Sequence, residues 1–564
     1  MARMPRLERA GMRTANGSRT QATIAALLLI VASLVGCSKV STQAPTSAGG
    51  NPWTKHGVLR IVDLAEPDNL NPVVGNQQAE AELSMYWAAY LFRWSDENQY
   101  VPELATVVPD LKNGGISPNG LEITYHLRPN VKWQDGARFG ADDVIFTWHQ
   151  LMNPKNNVAS RSPYDLITGI DKSDDHTIVV HLKKRFAPFI AAFFSMGPTV
   201  VPILPKHLLA QYVDLNRVPY NNLPIGTGPF RIAHYEKGTG IQLLANQQYW
   251  RGPPKIKEID IHYIPDENTI LTQLRTHEAD MEVAADPAHA PTLRTIPGIK
   301  LYYVPFTSYA QLGLNVRNPI LADVRVRRAL AYATDKTSII DKVAHGVPLP
   351  TDSDQPTFSW AYNANVARYP FDLSRAGALL DEAGWKMAGD GYRYKNGVRL
   401  RLAMIANTGG GAVSRVEAIV QQDWRRIGID ASIKEYAPPI LFASYGEGGI
   451  TQTGKFDVAF VGWANGVDPD DSAQYMCDQF PPDGQNIYHF CSRELDAAEK
   501  VALSEYDQAK RKAAYDTIQR ILADQVPTIV VWNTRRISAA NSDLKNYKPS
   551  HAVSTIWNPW EWEI

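Results

Sequence analysis

Cysteine is almost missing from this chain, with three among 564 residues. Two of them, Cys477 and Cys491, lie close together with His489 as the one nearby histidine, which makes a poor metal-ligand set. An excess of charge of either sign is missing too. The formal net charge is −1, so there is no basic field to hold a nucleic acid and no acidic tail. Beyond residue 36 no apolar run approaches the roughly 20 residues that a spanning helix needs, so the reading is of a mature chain that is soluble. Catalytic signatures are also missing. There is no His-Glu-x-x-His, no Gly-x-Ser-x-Gly and no Gly-x-Gly-x-x-Gly. Gly449–Lys455 begins like a phosphate loop but continues with Phe456, where a magnesium-binding hydroxyl is required. The acidic pairs Asp142-Asp143 and Asp470-Asp471 are adjacent, and adjacent carboxylates do not converge on one substrate atom. Both are read as solvated loop or helix-cap residues. No catalytic residue, metal ligand or cofactor is expected.

What is present begins at the N-terminus. Residues 27–37 read LLLIVASLVGC, preceded by Arg13 and Arg19 and followed by a polar stretch of small residues. A positive region, a short apolar core and a small residue at the cleavage point form an export signal. The cysteine directly after Gly36 resembles the lipobox of bacterial lipoproteins, which implies lipidation of Cys37 and removal of residues 1–36. The expected location is extracytoplasmic, held to a membrane by the N-terminal lipid on the periplasmic side or the outer cell surface. Residues 37–52 have no apolar periodicity and read as a flexible tether. Cys477 and Cys491, an even pair outside the cytosol, favour a disulfide over two reduced thiols.

The remaining length calls for two or three domains of about 100–200 residues each. Alternation predicts strands over Val58–Val62, Leu121–Arg128, Thr177–Leu182, Phe230–His234, Leu312–Asn315, Leu400–Ala406, Ala431–Tyr436 and Phe456–Trp463. Helical spacing predicts helices over Ala79–Trp94, Ala141–Met152, Val324–Thr334, Leu373–Ala383 and Val413–Ile427, and one long helix over Leu495–Gln525. Strands and helices mix throughout, which gives an α/β class.

Several phrases, taken in order, carry a resemblance. They are EPDNLNP (66–72), YHLRPNVKWQDG (125–136), FGADDVIF (139–146), PIGTGPF (224–230), NVRNPILADVRVRRAL (315–330), AGALLDEAGW (376–385) and FDVAFVGWANGVDP (456–469). Together they resemble the extracytoplasmic solute-binding proteins, family 5, of ABC transporters for oligopeptides, dipeptides and nickel. The resemblance implies a periplasmic-binding-protein type II-like architecture of three discontinuous lobes that closes about a hinge. Lobe I would comprise residues 53–78, 197–305 and 525–564, lobe II the insertion 79–196, and lobe III residues 306–524. The hinge would lie where the chain crosses near Val304–Thr307 and Val526–Trp532. Ligand held between lobes I and III stabilises the closed form, since only that form touches it on both sides.

The resemblance implies extended peptide bound by strand addition. Val461, Gly462 and Trp463 match the backbone-contacting stretch, with Trp463 walling a side-chain pocket. Ala284 and Ala285 match first-lobe positions facing the ligand, Tyr309 and Gln311 match the floor, and Gly75 and Asn76 lie in the entrance loop. Peptide binders of this family commonly place an aspartate two or three residues after the glycine–tryptophan pair, against the ligand ammonium. Here Asn465 stands in that region, and Asp468 is the next acid. The family often has a disulfide where Cys477 and Cys491 fall. The implied partners are a peptide or other small solute, the permease subunits of an ABC importer and the membrane through the lipid. No nucleic acid is expected, and the chain is expected to be a monomer. Receptors for an opine, sugar or metallophore, a signalling or chaperone binding protein, and an extracytoplasmic hydrolase stay open as other readings.

Overall fold

The computed structural model describes residues 50–75, 77–196, 200–408, 411–551 and 554–564. Cys37, with the signal and nearly all of the tether, lies outside the described residues, as does Asn76. Among the described residues no helix is long and apolar enough to cross a membrane.

The first strand, β1 (Val58–Asp63), alternates half-buried and buried residues from Val58 to Ile61, and Val62 is buried as well. A second, antiparallel group consists of β2 (Glu122–His126), β3 (Ile167–Asp174) and β4 (Thr177–Leu182), ordered β2-β4-β3. Then come β5 (Phe230–Glu236), β6 (Gly240–Ala245), β7 (Glu258–Tyr263), β8 (Met281–Ala285) and β9 (Ile299–Leu314), followed by β10 (Arg401–Asn407), β11 (Asp430–Tyr436), β12 (Val458–Ala464) and β13 (Thr528–Asn541). The largest sheet among the described residues runs β11-β10-β12-β9-β13-β8-β1-β7-β6-β5, with Leu349–Pro350 also paired to β13. Strand β1 lies parallel to both neighbours, with Ile61 opposite Ile261 and Met281. The main helices are α1 (Gln78–Trp87), α2 (Ala141–Met152), α3 (Glu267–Arg275), α4 (Val324–Tyr332), α5 (Leu373–Glu382), α6 (Gly411–Arg426), α7 (Arg493–Ser504) and α8 (Gln508–Gln525). The α/β class and the type II binding-protein arrangement are both present.

Two strands span the middle of the sheet. Antiparallel β9 and β13, 16 and 14 residues long, pair from Ile299 opposite Asn541 to Gly313 opposite Thr528. Their register breaks between Pro305 and Tyr309. Asn533 fills the break, its Nδ2 donating to the carbonyls of Phe306 (3.0 Å) and Ser308 (2.9 Å). The apolar cores divide near this point. Leu312, Leu314, Ile529 and Val531 pack with α4, α5 and α6, whereas Ile537 and Ala539 pack with α3. A further core joins β1, the β2–β4 group and the C-terminal Trp562 and Ile564.

The glycine-punctuated phrase 225–230 has a steric cause. A side chain at Gly226 would put its Cβ 2.1 Å from the Trp87 carbonyl oxygen, so only glycine lets this segment lie against the end of α1. Gln134 knits the contact, accepting from Gly226 N at 3.0 Å and donating to the Phe230 carbonyl at 2.6 Å.

Two helices differ from expectation. Ala79–Trp94 was expected to be one helix, but α1 ends at Trp87 and Phe92–Trp94 forms a short strand against Tyr100–Pro102. Every residue from Leu83 to Trp94 is buried, so no exposed face marks the change. Leu495–Gln525 is two helices. The break falls at Glu505–Asp507, where the Asp507 carboxylate caps α8 by accepting from Lys510 N at 3.0 Å. The Asp142-Asp143 reading holds: Asp142 pairs with Lys172 and Lys206, and Asp143 accepts from Gly140 N at the start of α2.

Candidate functional site

Strand β12 positions the site. Along one edge it pairs with β9, from Val458 opposite Leu314 to Ala464 opposite Ser308. Along the other it meets β10 only at Val458 and Ala459. From Phe460 to Ala464 no strand among the described residues pairs with that second edge, which leaves main-chain groups available for an added strand. Strand β8 is similar in the other half of the sheet, since β1 pairs with it only at Met281 and Glu282.

The chain leaving β12 turns at Asn465, whose backbone N–H donates to the Thr307 carbonyl at 3.1 Å. There Asn465, Gly466 and Val467 line a cavity of about 200 Å³. Trp94, Phe358 and Trp360 form its aromatic walls, and Thr307 and Gln355 add polar groups. His551 joins two sides of this cavity. Its Nδ1 lies 2.8 Å from Asn98 Oδ1, and its ring packs against Phe358, tilted by 37° with centroids 4.3 Å apart. Beyond Trp360, a wider groove of about 540 Å³ is lined by Tyr100, Ile190, Asp468, Tyr506 and Arg511 among others. Aromatic walls with a few convergent polar groups are the usual make-up of a small-solute site.

Asn465 is buried, and its Nδ2 donates to the Asp354 carbonyl at 3.3 Å. Gln355 Nε2 donates to the Pro469 carbonyl at 3.0 Å, which ties the two loops together. Asp468 does not face the cavity as a free acid. Both of its oxygens accept from Arg511, at 2.7 and 2.9 Å, and the guanidinium pKa is pushed up by that carboxylate despite the opposing effect of burial.

The other expected site residues are spread around this cavity. Trp463 is half-buried and absent from its lining, and Gly462 is exposed. Val461 packs in an apolar core with Ile405. Tyr309 and Gln311 point into a buried polar knot: Gln474 Nε2 donates to Tyr309 Oη at 2.9 Å, and Gln311 Nε2 donates to Tyr488 Oη at 2.5 Å. Ala284 is exposed and Ala285 buried at the end of β8. Gly75 closes a turn by donating to the Asn71 carbonyl, with the Glu80 carboxylate where a side chain would be. The sulfurs of Cys477 and Cys491 are at bonding distance, 2.11 Å apart.

Trp94, Phe358 and Trp360 were not anticipated. Trp94 lies far in sequence from Phe358 and Trp360, which share one irregular segment, and no local pattern joins them.

A correction concerns Asp471, expected to be solvated or a cap. Its neighbour Asp470 does accept from Ser472 N, but Asp471 is 2 % exposed. Its carboxyl faces those of Asp354 and Glu499, and no N–H or hydroxyl among the described residues donates to Asp471 or Glu499. Burial, with Glu499 and Asp354 alongside, drives the Asp471 pKa well up, and burial with the Asp470 and Asp354 charges lifts that of Glu499 to about 8. A proton retained by Asp471 is what joins the group. No set of three His, Cys, Asp or Glu among the described residues is arranged to hold a metal ion.

The family model for bacterial extracellular solute-binding proteins, family 5, matches residues 99–484. The oligopeptide-binding protein AppA of Bacillus subtilis is 25% identical over 557 residues, covering 96% of this chain and 97% of the relative. The di/tripeptide-binding protein 2 of Pseudomonas aeruginosa is 28% identical over 521 residues, covering 87% and 92%. The crystal structure of NikZ from Campylobacter jejuni in complex with Ni(L-His) superposes with a TM-score of 0.73 at 26% identity, over 91% of this chain and all of that one. With the open-edged strand, the aromatic cavity and the type II fold in place, this chain belongs to the bacterial extracellular solute-binding proteins, family 5.

Proposed function

We propose that this solute-binding protein captures a peptide outside the cytoplasm and delivers it, in a closed form, to the permease of an ABC importer. The observation that carries the reading is the unpaired edge Phe460–Ala464, which runs directly into the cavity at Asn465. An extended peptide laid on that edge gains main-chain hydrogen bonds without regard to its side chains. One of its residues enters the aromatic cavity, and the adjoining groove beyond Trp360 has room for more. The names of the oligopeptide- and di/tripeptide-binding relatives support peptide as the solute.

Closure follows from the same layout. Lobe I (53–78, 197–305, 525–564) and lobe III (306–524), with lobe II (79–196) on the first, turn about the register break at Pro305–Tyr309. Gly75 stands at the entrance, and Ala284, Ala285, Gly462 and Trp463 flank the added strand. A disulfide between Cys477 and Cys491 braces the loop beside the site, and a lipid on Cys37 holds the receptor near the membrane.

Native mass spectrometry of freshly purified protein, with the released ligand sequenced, tests the reading. A retained peptide is expected, and Trp360→Ala is expected to lose it. A sugar or a metal chelate in its place would remove the peptide and leave a solute receptor.

A further inference from the structure

We propose that Tyr506 is a bridge across the cleft, which fastens the break between α7 and α8 to the insertion 79–196 and so favours the closed form through contacts between protein groups alone. The inference rests on the hinged closure proposed above and is independent of which solute is bound.

The bridge explains why one amphipathic stretch is broken into two helices. Between the end of α7 at Ser504 and the start of α8 at Gln508 the chain leaves the helical path. Leu495, Ala502, Ala514 and Tyr515 of these helices pack in one core, whereas Leu503 and Tyr506 pack against another, that of β1 and the β2–β4 group. Tyr506 Oη donates to the Gly120 carbonyl at 2.7 Å and accepts from Phe186 N at 3.4 Å. The Leu503 carbonyl accepts from Ala187 N at 2.7 Å. Phe189 meets the Tyr506 ring edge-on, with centroids 6.0 Å apart. Gly120 is at φ +73°, and a Cβ there would lie 2.7 Å from the tyrosine ring. Glycine is therefore needed both for the turn and for the approach of Tyr506.

These contacts join the two sides of the hinge. The insertion shares its core with β1, and α7 and α8 share theirs with Ile405 of β10 and Val461 of β12. Opening about the register break at Pro305–Tyr309 draws Tyr506 off Gly120 and Leu503 off Ala187. Closing remakes both bonds beside the groove that Tyr506, Ala187 and Phe189 line. A contact made in only one of two forms shifts the balance toward that form. A ligand that fits the closed form then meets a larger competent population, and its apparent affinity rises in proportion. The Arg185–Glu505 pair, 3.9 Å apart and partly exposed, adds little to this.

The test compares the wild type with Tyr506→Phe, Tyr506→Ala and Glu505→Gln as intact proteins, in samples shown by native mass spectrometry to hold no retained solute. Small-angle X-ray scattering reads closure, and calorimetry with a mixed tripeptide pool reads affinity. The wild type is expected to be the most compact and Tyr506→Ala the most open. Tyr506→Phe keeps the ring, loses both hydrogen bonds and should fall between them. The pool should bind about threefold more weakly to Tyr506→Phe and about tenfold more weakly to Tyr506→Ala. Glu505→Gln should match the wild type. Equal radii of gyration for the wild type and both Tyr506 variants overturn the inference, as does opening of Glu505→Gln to the extent of Tyr506→Phe. Binding of the pool to Tyr506→Ala without compaction overturns the hinged closure and the bridge together. Binding to none of the four proteins counts against peptide as the solute, and scattering alone then decides the bridge. Tyr506→Phe decides it if Tyr506→Ala does not fold.

Discussion

Asp468 and Arg511 form a two-pronged ion pair beside the cavity, with side chains 9 % and 8 % exposed and both carboxylate oxygens accepting from the guanidinium. Arg511 also lies over the Trp360 ring, 5.2 Å from its centroid. The pair therefore supports an aromatic wall of the site from behind. Removing one partner strands the other as a buried charge, which costs about 3–5 kcal/mol. Asp468→Ala and Arg511→Ala are each expected to lower the urea midpoint accordingly. A loss below about 1 kcal/mol in both would mean that water reaches the pair.

The Asp354, Asp471 and Glu499 carboxyls give a pH dependence whose sign follows from the raised pKa values. The folded state holds protons that the unfolded chain releases above the ordinary carboxyl range. Their contribution is fully present below about pH 4.5 and is lost as pH rises toward about 8, the value for Glu499. Asp471→Asn replaces the shared proton with a permanent amide donor. Melting temperatures at pH 5 and pH 8 should differ less in this variant than in the wild type. Its stability at pH 8 should rise by about 1 kcal/mol. An unchanged pH profile would remove Asp471 from the account.

A bond between Cys477 and Cys491, 14 positions apart, would close a short loop. Chain entropy puts its worth at no more than about 3 kcal/mol. Cys477→Ser with Cys491→Ser should be less stable by up to that amount and still fold, and reductant should destabilise the wild type but not the double variant. Equal sensitivity of both to reductant would show that the bond does not form.

Cys37→Ala should release the protein from membranes into the soluble fraction. Fractionation of cells expressing the variant, with and without detergent, checks this. Continued detergent-dependent retention would place the anchor elsewhere.

Much of the fold could be read from spacing. The bounds of α2 match its apolar pattern because a polar face and an acidic first turn both mark it. The end of α5 is marked by Gly384, at φ +87°, where other residues would be strained. Legibility failed where burial erased the pattern, as from Leu83 to Trp94. It failed again where one capping carboxylate, Asp507, split a continuous amphipathic stretch. The site was legible only along β12. Asn465 was singled out and does line the cavity, whereas Trp463 does not. Asp468 looked available because its partner Arg511 lies 43 positions away. Phe358 and Trp360 sit in an irregular segment, so nothing in their spacing announced a wall.

The late strand β13 has a consequence for the order of assembly. Ile529 and Val531 complete one core, Ile537 and Ala539 another, and Ala540, Trp562 and Ile564 a third. The Ile564 carbonyl also accepts from Gly57 N, ahead of the first strand. None of these cores can close until residues 528–564 have been made. A chain emerging from the ribosome, which otherwise folds from its beginning, therefore carries these three cores open until its last residues are made.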